Sequence, residues 1–432
     1  MQNQEKVNVL ILGSGGREHA IAWKINQSKL LRNLYVAPGN SGTKHISKNI
    51  QVDISNHNEV KKIIVQKNIG LLIIGPEVPL VNGLHDKLVA DNNLKKLKII
   101  GPKKIGAKLE GSKLFAKKFM QKYKIPTGHF KSFNIQSISE AKKHLQNIKP
   151  PFVIKADGLA AGKGVFICDK LTEAYKVIDD IIINGKFGKA GNEIVVEQFL
   201  DGIELSVFIL TDGHSYKILP SAKDYKRIGE NDTGLNTGGM GAISPVPFLQ
   251  KKLKEKIKTK IIDPTLDGLR KENIEYKGFI FFGLIIVENE PFVIEYNVRL
   301  GDPETQVVLP RIKSDFLDVL LNISSKEMFS KSELMISEES AATVIMTSGG
   351  YPGKYKIGAS VKGLEKVQSS LIFHAGLKFE NGEYLTNGGR VLAMTSCDKK
   401  IENAIKKSYE NIKKIQFENL YFRKDIGKDI IK

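Results

Sequence analysis

Only two cysteines occur in this chain of 432 residues, Cys168 and Cys397, and they lie far apart. They form no zinc-binding spacing and cannot build a disulfide framework, so a reducing cytoplasm is the expected setting. The eight histidines are scattered as well. Long apolar runs are absent: none approaches the ~18 residues that a membrane span needs, so no membrane partner is expected. The first residues, MQNQEKVNVLILGSGG, lack a basic leader and a small-residue cleavage site. Their short apolar run ends in glycines and reads as a strand, not a signal peptide. Arginine is scarce too, with eight among 66 basic residues. The formal charge of +19 is therefore a lysine excess. It is spread along the chain on what read as exposed helix faces, such as Lys61-Lys62, Lys95-Lys96, Lys117-Lys118 and Lys251-Lys252. Without an arginine-rich tail or aromatic residues interleaved with basic ones, the pattern speaks against a nucleic-acid partner. It remains compatible with anionic small-molecule substrates.

What is present is ordinary for a globular chain, with 41% hydrophobic and 26% charged residues. At roughly 150 residues per domain, the length suggests about three domains. Residues 1–104 alternate strand and helix, with strands at Val7–Leu12, Leu34–Val36, Leu71–Ile74 and Lys98–Ile100 and a weaker one near Ile50–Val52. Helices are expected at Glu18–Asn26, Glu59–Gln66 and Val81–Ala90. This alternation predicts a doubly wound parallel sheet. Residues 105–325 open with a helix at Ser112–Tyr123 and then become strand-rich, with a smaller subdomain at about 124–190. Residues 326–432 read as a small α+β unit with turns at Asn381-Gly382 and Asn387-Gly388 and a final helix, Lys400–Lys414.

Four stretches carry chemistry. The first strand runs into Gly13-Ser14-Gly15-Gly16-Arg17-Glu18-His19 ahead of a helix, where a phosphate can meet free backbone N–H groups. A bare βα turn has the same pattern, but the loops at Pro38-Gly39-Asn40 and Gly75-Pro76-Glu77 face the same crevice. A dinucleotide fits poorly, because Glu18 stands at the third glycine position and no acid follows the second strand. The second stretch is Lys155 followed by Asp157-Gly158-Leu159-Ala160-Ala161-Gly162-Lys163-Gly164. Its spacing is not that of a Walker loop, yet small residues and a lysine suit a mobile cover over a triphosphate. An apolar strand ending at Glu197, then Phe199, Leu200 and Glu204, fits an adenine hinge beyond it. The third is a hairpin, residues 279–299. Strict alternation puts Phe292, Ile294, Tyr296 and Val298 on one face and Val293, Glu295, Asn297 and Arg299 on the other. Glu295 and Asn297 offer hard oxygen ligands for Mg2+, and Arg299 a planar fork for a carboxylate or acyl phosphate. The fourth, 224–241, holds five glycines and reads as a substrate loop.

Together these residues resemble the ATP-grasp family, and within it the phosphoribosylamine-glycine ligases of purine biosynthesis. GSGGREHA at 13–20, GPEVPL at 75–80, IKADGLAAGKGV at 154–165, DTGLNTGGMG at 232–241 and EYNVRLGDPETQ at 295–306 carry the similarity, with GGRVL at 388–392 and YFRKDIG at 421–427. The resemblance implies an ATP-grasp core with a lid, and ligation of glycine to 5-phosphoribosylamine through glycyl phosphate. It implies ATP at Lys113, Lys155, Gly162, Lys163, Gly164, Glu197, Phe199, Leu200 and Glu204, and Mg2+ or Mn2+ at Glu295 and Asn297. Phosphoribosylamine falls to Gly15, Gly16, Arg17, Asn40 and Glu77, and glycine to Asp224 and Arg299. Lys155, Asp224 and Arg299 would serve catalysis. A monomer or weak dimer is expected. Tyr225, Leu235 and Gln198 depart from the family's usual His, Pro and Glu, so any role of that His is in question here. The rivals are another ATP-grasp ligase or carboxylase, a binding protein that has kept the fold, and a basic nucleic-acid-binding protein.

If the lysines are compositional, retention on heparin should vanish at moderate salt and no oligonucleotide should bind sequence-specifically. Salt-resistant, sequence-dependent binding in a mobility-shift titration would overturn that expectation.

Overall fold

A computed structural model describes residues 5–160 and 162–431. Ala161, in the expected phosphate cover, lies outside the described residues, as do Met1–Gln4 and Lys432.

The N-terminal strands form a five-stranded parallel sheet in the order Lys48–Asn49, Leu31–Pro38, Val7–Gly13, Ile69–Ile74, Lys98–Ile100. A parallel sheet is covered on both faces, which is why its strands are apolar throughout. Leu10, Leu12, Leu72 and Ile74 enter one core, and Val9, Ile11, Leu71 and Ile73 the other. The strand expected near Ile50–Val52 is only Lys48–Asn49, and Ile50, Val52 and Ile54 instead pack against the first core from the following coil. The helix expected over Val81–Ala90 is two short ones, Glu77–Val81 and Leu84–Val89, parted at Gly83, whose φ of 78° ends a helical turn.

Helices Lys104–Gly111 and Lys113–Lys122 meet at Ser112, whose hydroxyl accepts from Phe115 N at 3.0 Å. The lid follows as a four-stranded antiparallel sheet, Phe130–Asn134, Glu193–Glu197, Phe152–Ala156, Val165–Cys168, with a core of its own. The central sheet orders Tyr216–Ile218, Ile203–Thr211, Gly278–Val287 and Glu290–Asn297. The expected substrate loop contains a short hairpin, Arg227–Gly229 with Thr233–Asn236. On either side of it, Lys223–Asp224 and Gly241–Ser244 join the C-terminal sheet, completed by Ser340–Thr347, Arg390–Asp398 and Leu371–His374. Helix Ile401–Ile412 packs on that sheet. Asn381 and Gly382, with φ of 51° and 83°, turn the expected hairpin, whereas Asn387-Gly388 links two different sheets. No helix among the described residues is long and apolar enough to cross a membrane.

The 278–297 hairpin departs from strict alternation. Gly283 pairs with Glu295 but Leu284 pairs with Val293, so Ile294 is left without a partner as a β-bulge. The bulge reverses the faces: Val293 is fully buried (0% exposed) in the same core as Tyr296 and Val298, not beside Glu295. Gly283 stands opposite Glu295, and a methyl group there would meet Glu295 Cγ at 3.0 Å. Val293→Ala should therefore lower stability by about 2 kcal/mol, and Ile294→Ala by less than about 1 kcal/mol. Thermal melts of the two variants check this, and the reverse order would mean that the alternation continues unbroken.

Candidate active site

A cavity of about 740 Å³ opens where the lid, the central sheet, the carboxyl ends of the N-terminal strands and the C-terminal unit meet. Arg17, Glu77, Lys113, Lys155, Gly162 and Gly164 line it, with Glu197, Phe199, Leu200 and Glu204 along the lid hinge and Asp224, Glu295, Asn297 and Arg299 on the floor. Lys163 is exposed and does not line it, nor do Gly15, Gly16 and Asn40.

At the hinge, one carboxylate is shared by two lysines. Lys155 Nζ and Lys117 Nζ each lie 2.9 Å from Glu197 Oε2. Lys117 also donates to Thr127 Oγ1 at 2.7 Å, which donates to Val293 O at 2.7 Å. Burial works against the Glu197 carboxylate, but the two lysines outweigh it and hold its pKa below the usual range. Burial pulls Lys117 down to about 8 despite Glu197. Lys117 corrects the reading of Lys117-Lys118 as an exposed pair: it is 2% exposed, and only Lys118 faces solvent. Its spacing of four from Lys113 was the available signal, since both lie on one helix face. The start of that helix is tied to the glycine-rich segment, because Asp157 accepts from Leu114 N at 2.7 Å and from Ser112 Oγ at 3.0 Å.

On the floor, carboxylates crowd. Lys226 pairs with Glu204 at 2.7 Å, and Ser206 donates to Glu304 at 3.2 Å. Burial pushes Asp224 up to about 6, with Lys226 opposing and Glu204 and Glu295 adding repulsion. Burial and then Asp224 push Glu304 up to about 8. Glu295 differs: burial opposes its charge, yet Lys226, Lys155 and Lys113 hold its pKa down. Among the described residues its carboxylate has no ion pair within 4 Å. An ionised, uncommitted carboxylate with an amide two residues on suits a hard divalent cation. No three His, Cys, Asp or Glu among the described residues converge on a metal position. The remaining ligands of such a cation would have to come from substrate or water.

At the N-terminal end, Arg299 donates to Glu110 at 2.8 Å and to Asn297 Oδ1 at 3.0 Å, and its Nε lies 3.4 Å from Glu77. Burial raises the pKa of Glu110, with Arg299 opposing. Glu18, 2% exposed, reaches back to accept from Gly15 N at 2.7 Å and from Arg17 Nε at 2.6 Å. A methyl group on Gly13, whose φ is 124°, would strike Glu18. The glycine turn thus makes room for the protein's own carboxylate at the helix start, and the cation beside it that lines the cavity is Arg17, whose Nη1 also donates to Leu300 O at 3.2 Å. Asn40 is a brace, donating to Ser14 O at 2.8 Å and His374 O at 2.7 Å and accepting from Gly42 N at 2.9 Å. Arg390 reaches in from the C-terminal unit, donating to Gly238 O at 2.6 Å and Asp302 O at 2.7 Å. Glu110 lies outside every motif read from the sequence, whereas Lys226, Glu304 and Arg390 lie within the 224–241 loop, EYNVRLGDPETQ and GGRVL without having been assigned a role there. Tyr225 packs in the C-terminal core with its hydroxyl 2.6 Å from Asp429, and burial raises its pKa far above the ordinary value. Tyr225 does not line the cavity, and its hydroxyl is committed to Asp429.

Profiles of the phosphoribosylglycinamide synthetase family match this chain in three parts: the N domain at 7–110, the ATP-grasp (A) domain at 111–305 and the C domain at 341–429. A phosphoribosylamine–glycine ligase of Fusobacterium nucleatum is 45% identical over 425 residues, covering 98% of both chains. The crystal structure of phosphoribosylamine–glycine ligase from Thermotoga maritima is similar with a TM-score of 0.83 at 34% identity, over 97% of this chain and all of that one. The biotin carboxylase domain of Hydrogenobacter thermophilus 2-oxoglutarate carboxylase, solved with MgADP and bicarbonate, shares the fold. Its TM-score is 0.74 at 14% identity, over 97% of this chain and 92% of that one.

Removing the shared anion should cost more than removing one of its cations. Glu197→Gln strands two buried lysines and should destabilise the ligand-free protein by about 3–5 kcal/mol, whereas Lys117→Met leaves a complete pair and should cost clearly less. Thermal melts decide, and equal losses would mean that the pairing contributes nothing.

Proposed function

The chain belongs to the phosphoribosylglycinamide synthetase family, and on that premise we infer a ligase that uses ATP to join glycine to 5-phosphoribosylamine. The products are glycinamide ribonucleotide, ADP and phosphate, a step of purine biosynthesis. The observation that carries the site assignment is the single cavity in which Lys155 and Glu197, Glu295 and Asn297, and Arg17 and Arg299 all take part.

ATP would lie along the hinge, its base against Phe199 and Leu200 and its phosphates toward Lys113 and Lys155, beneath the segment of Gly162 and Gly164. Glu295 and Asn297 would hold Mg2+ or Mn2+, which when bound neutralises charge on the phosphates. The chain's own contribution is positioning and charge. Arg299, oriented by Glu110 and Glu77, can take the glycine carboxylate with its remaining donors, and Asp224 faces the amino end. Phosphoryl transfer to that carboxylate gives glycyl phosphate. The amine of phosphoribosylamine, with Arg17 and Arg390 at its phosphate and Glu77 at its sugar, then displaces phosphate. The lid keeps water from the acyl phosphate meanwhile. Arg17 was expected to act with the backbone of the glycine turn, but Glu18 already occupies Gly15 N, so the guanidinium carries the contact. A cytoplasmic setting and a monomer or weak dimer complete the proposal.

Release of ADP should require both glycine and freshly prepared phosphoribosylamine. Glu295→Gln should reduce it on the order of 10²-fold across a magnesium titration without lowering the melting temperature. Arg17→Ala should raise the KM for the amine and leave that for ATP alone. Near-normal Glu295→Gln activity at low magnesium would move the metal elsewhere, and loss of ATP affinity in Arg17→Ala would mean that the two phosphate sites are exchanged.

A further inference from the structure

The segment that carries Asp224 and Lys226 into the cavity is held from behind by the end of the chain. Arg423, 1% exposed, donates Nε and Nη2 to the two oxygens of Asp425 at 2.8 and 2.7 Å. Its Nη1 reaches Asp232 at 2.6 Å and Arg227 O at 3.1 Å. Asp425 also accepts from Asn231 N at 2.7 Å. Tyr421 donates to Ile228 O at 2.8 Å. The guanidinium lies 5.3 Å from the centre of the Tyr225 ring, the residue between Asp224 and Lys226. Four of these bonds join the tail to the Arg227–Asn236 hairpin, and the two between Arg423 and Asp425 brace the group that does.

A guanidinium this deep is costly to desolvate and is tolerated because its fork meets a bidentate partner and a third acceptor at once. A lysine has one charged atom and cannot serve both carboxylates in these directions. None of the lid residues assigned to ATP bonds this tail, whereas Lys223 and Tyr225, on either side of Asp224, both bond its Asp429. We infer that Arg423 is a positioning residue for the ligase reaction: through Asp232 and Asp425 it sets the hairpin, and with it Asp224 and Lys226, against the cavity floor. This rests on the ligase reading above.

The experiment compares Arg423→Lys and Asp232→Asn with the wild type. The Asp232 side chain is 59% exposed, so its replacement leaves the core intact. Glycine kcat/KM should fall on the order of 30-fold in Arg423→Lys and several-fold in Asp232→Asn, since a displacement of about 1 Å costs up to ~10²-fold. The dissociation constant of a non-hydrolysable ATP analogue should stay within about threefold. Amide hydrogen exchange over residues 224–236 should quicken in both variants without substrates. Absence of glycine-dependent ADP release in the wild type would defeat the ligase reading, while the exchange data would still decide the clamp. Unchanged glycine kinetics and exchange in both variants would overturn the inference. So would equal loss of ATP and glycine affinity with a lowered melting temperature.

Discussion

Glu197 is the carboxylate on which the cavity closes. It stands on a lid strand, Lys155 stands on the neighbouring lid strand, and Lys117 comes from a helix of the central unit. Glu197 meets both lysines only if the lid stays seated at that helix, so the ion pairs set the hinge as well as the local charge. Thr127 and the carbonyl of Val293 extend the network into the central sheet. The bulge that turns Val293 inward also leaves Glu295 facing the cavity, so the hinge and the carboxylate proposed for the metal depend on the same stretch of strand.

Charge is arranged in the rest of the cavity by the same economy of partners. Basic groups at the hinge face acidic groups on the floor, and burial with mutual repulsion pushes two of those carboxylates toward their neutral forms. Asp224 and Glu304 show this, and Glu295, with three lysines in range, does not. An anionic nucleotide and a divalent cation would complete what the protein leaves unbalanced. At the other end Arg17 and Arg299 are each held by carboxylates and by the Leu300 carbonyl, and together they bring two guanidinium groups to the cavity wall, an arrangement suited to anionic substrates.

The C-terminal unit is part of this site. Two strands that come before it in sequence, Lys223–Asp224 and Gly241–Ser244, form one side of its sheet, so Asp224 is presented from that sheet's edge. Arg390 grips Gly238 and Asp302 from the same unit, and the tail around Arg423 grips the hairpin between. The segment expected to be a glycine-rich loop is consequently held at both ends and in the middle.

The sequence by itself determined the doubly wound N-terminal sheet, the hairpin of residues 279–299, and several residues that line the hinge end of the cavity, because each rests on local patterning; Lys113 there came from the family resemblance alone. Continuous apolar strands, glycine turns and polar residues two apart are visible along the chain. Only the tertiary structure decided what depends on partners distant in sequence. Lys117 reads as one more exposed lysine until Glu197, eighty residues on, is brought to it. The bulge at Ile294 shifts every following side chain, yet nothing in residues 290–297 marks it, because it is set by pairing with Gly283 and Leu284. The glycine turn at Gly13–Gly16 announces an anion, but that Glu18 fills part of the place follows only from the fold. Arg390 and Arg423 lie far from every other site residue in sequence, and the reason they matter is that charge is satisfied in space, wherever the chain happens to return.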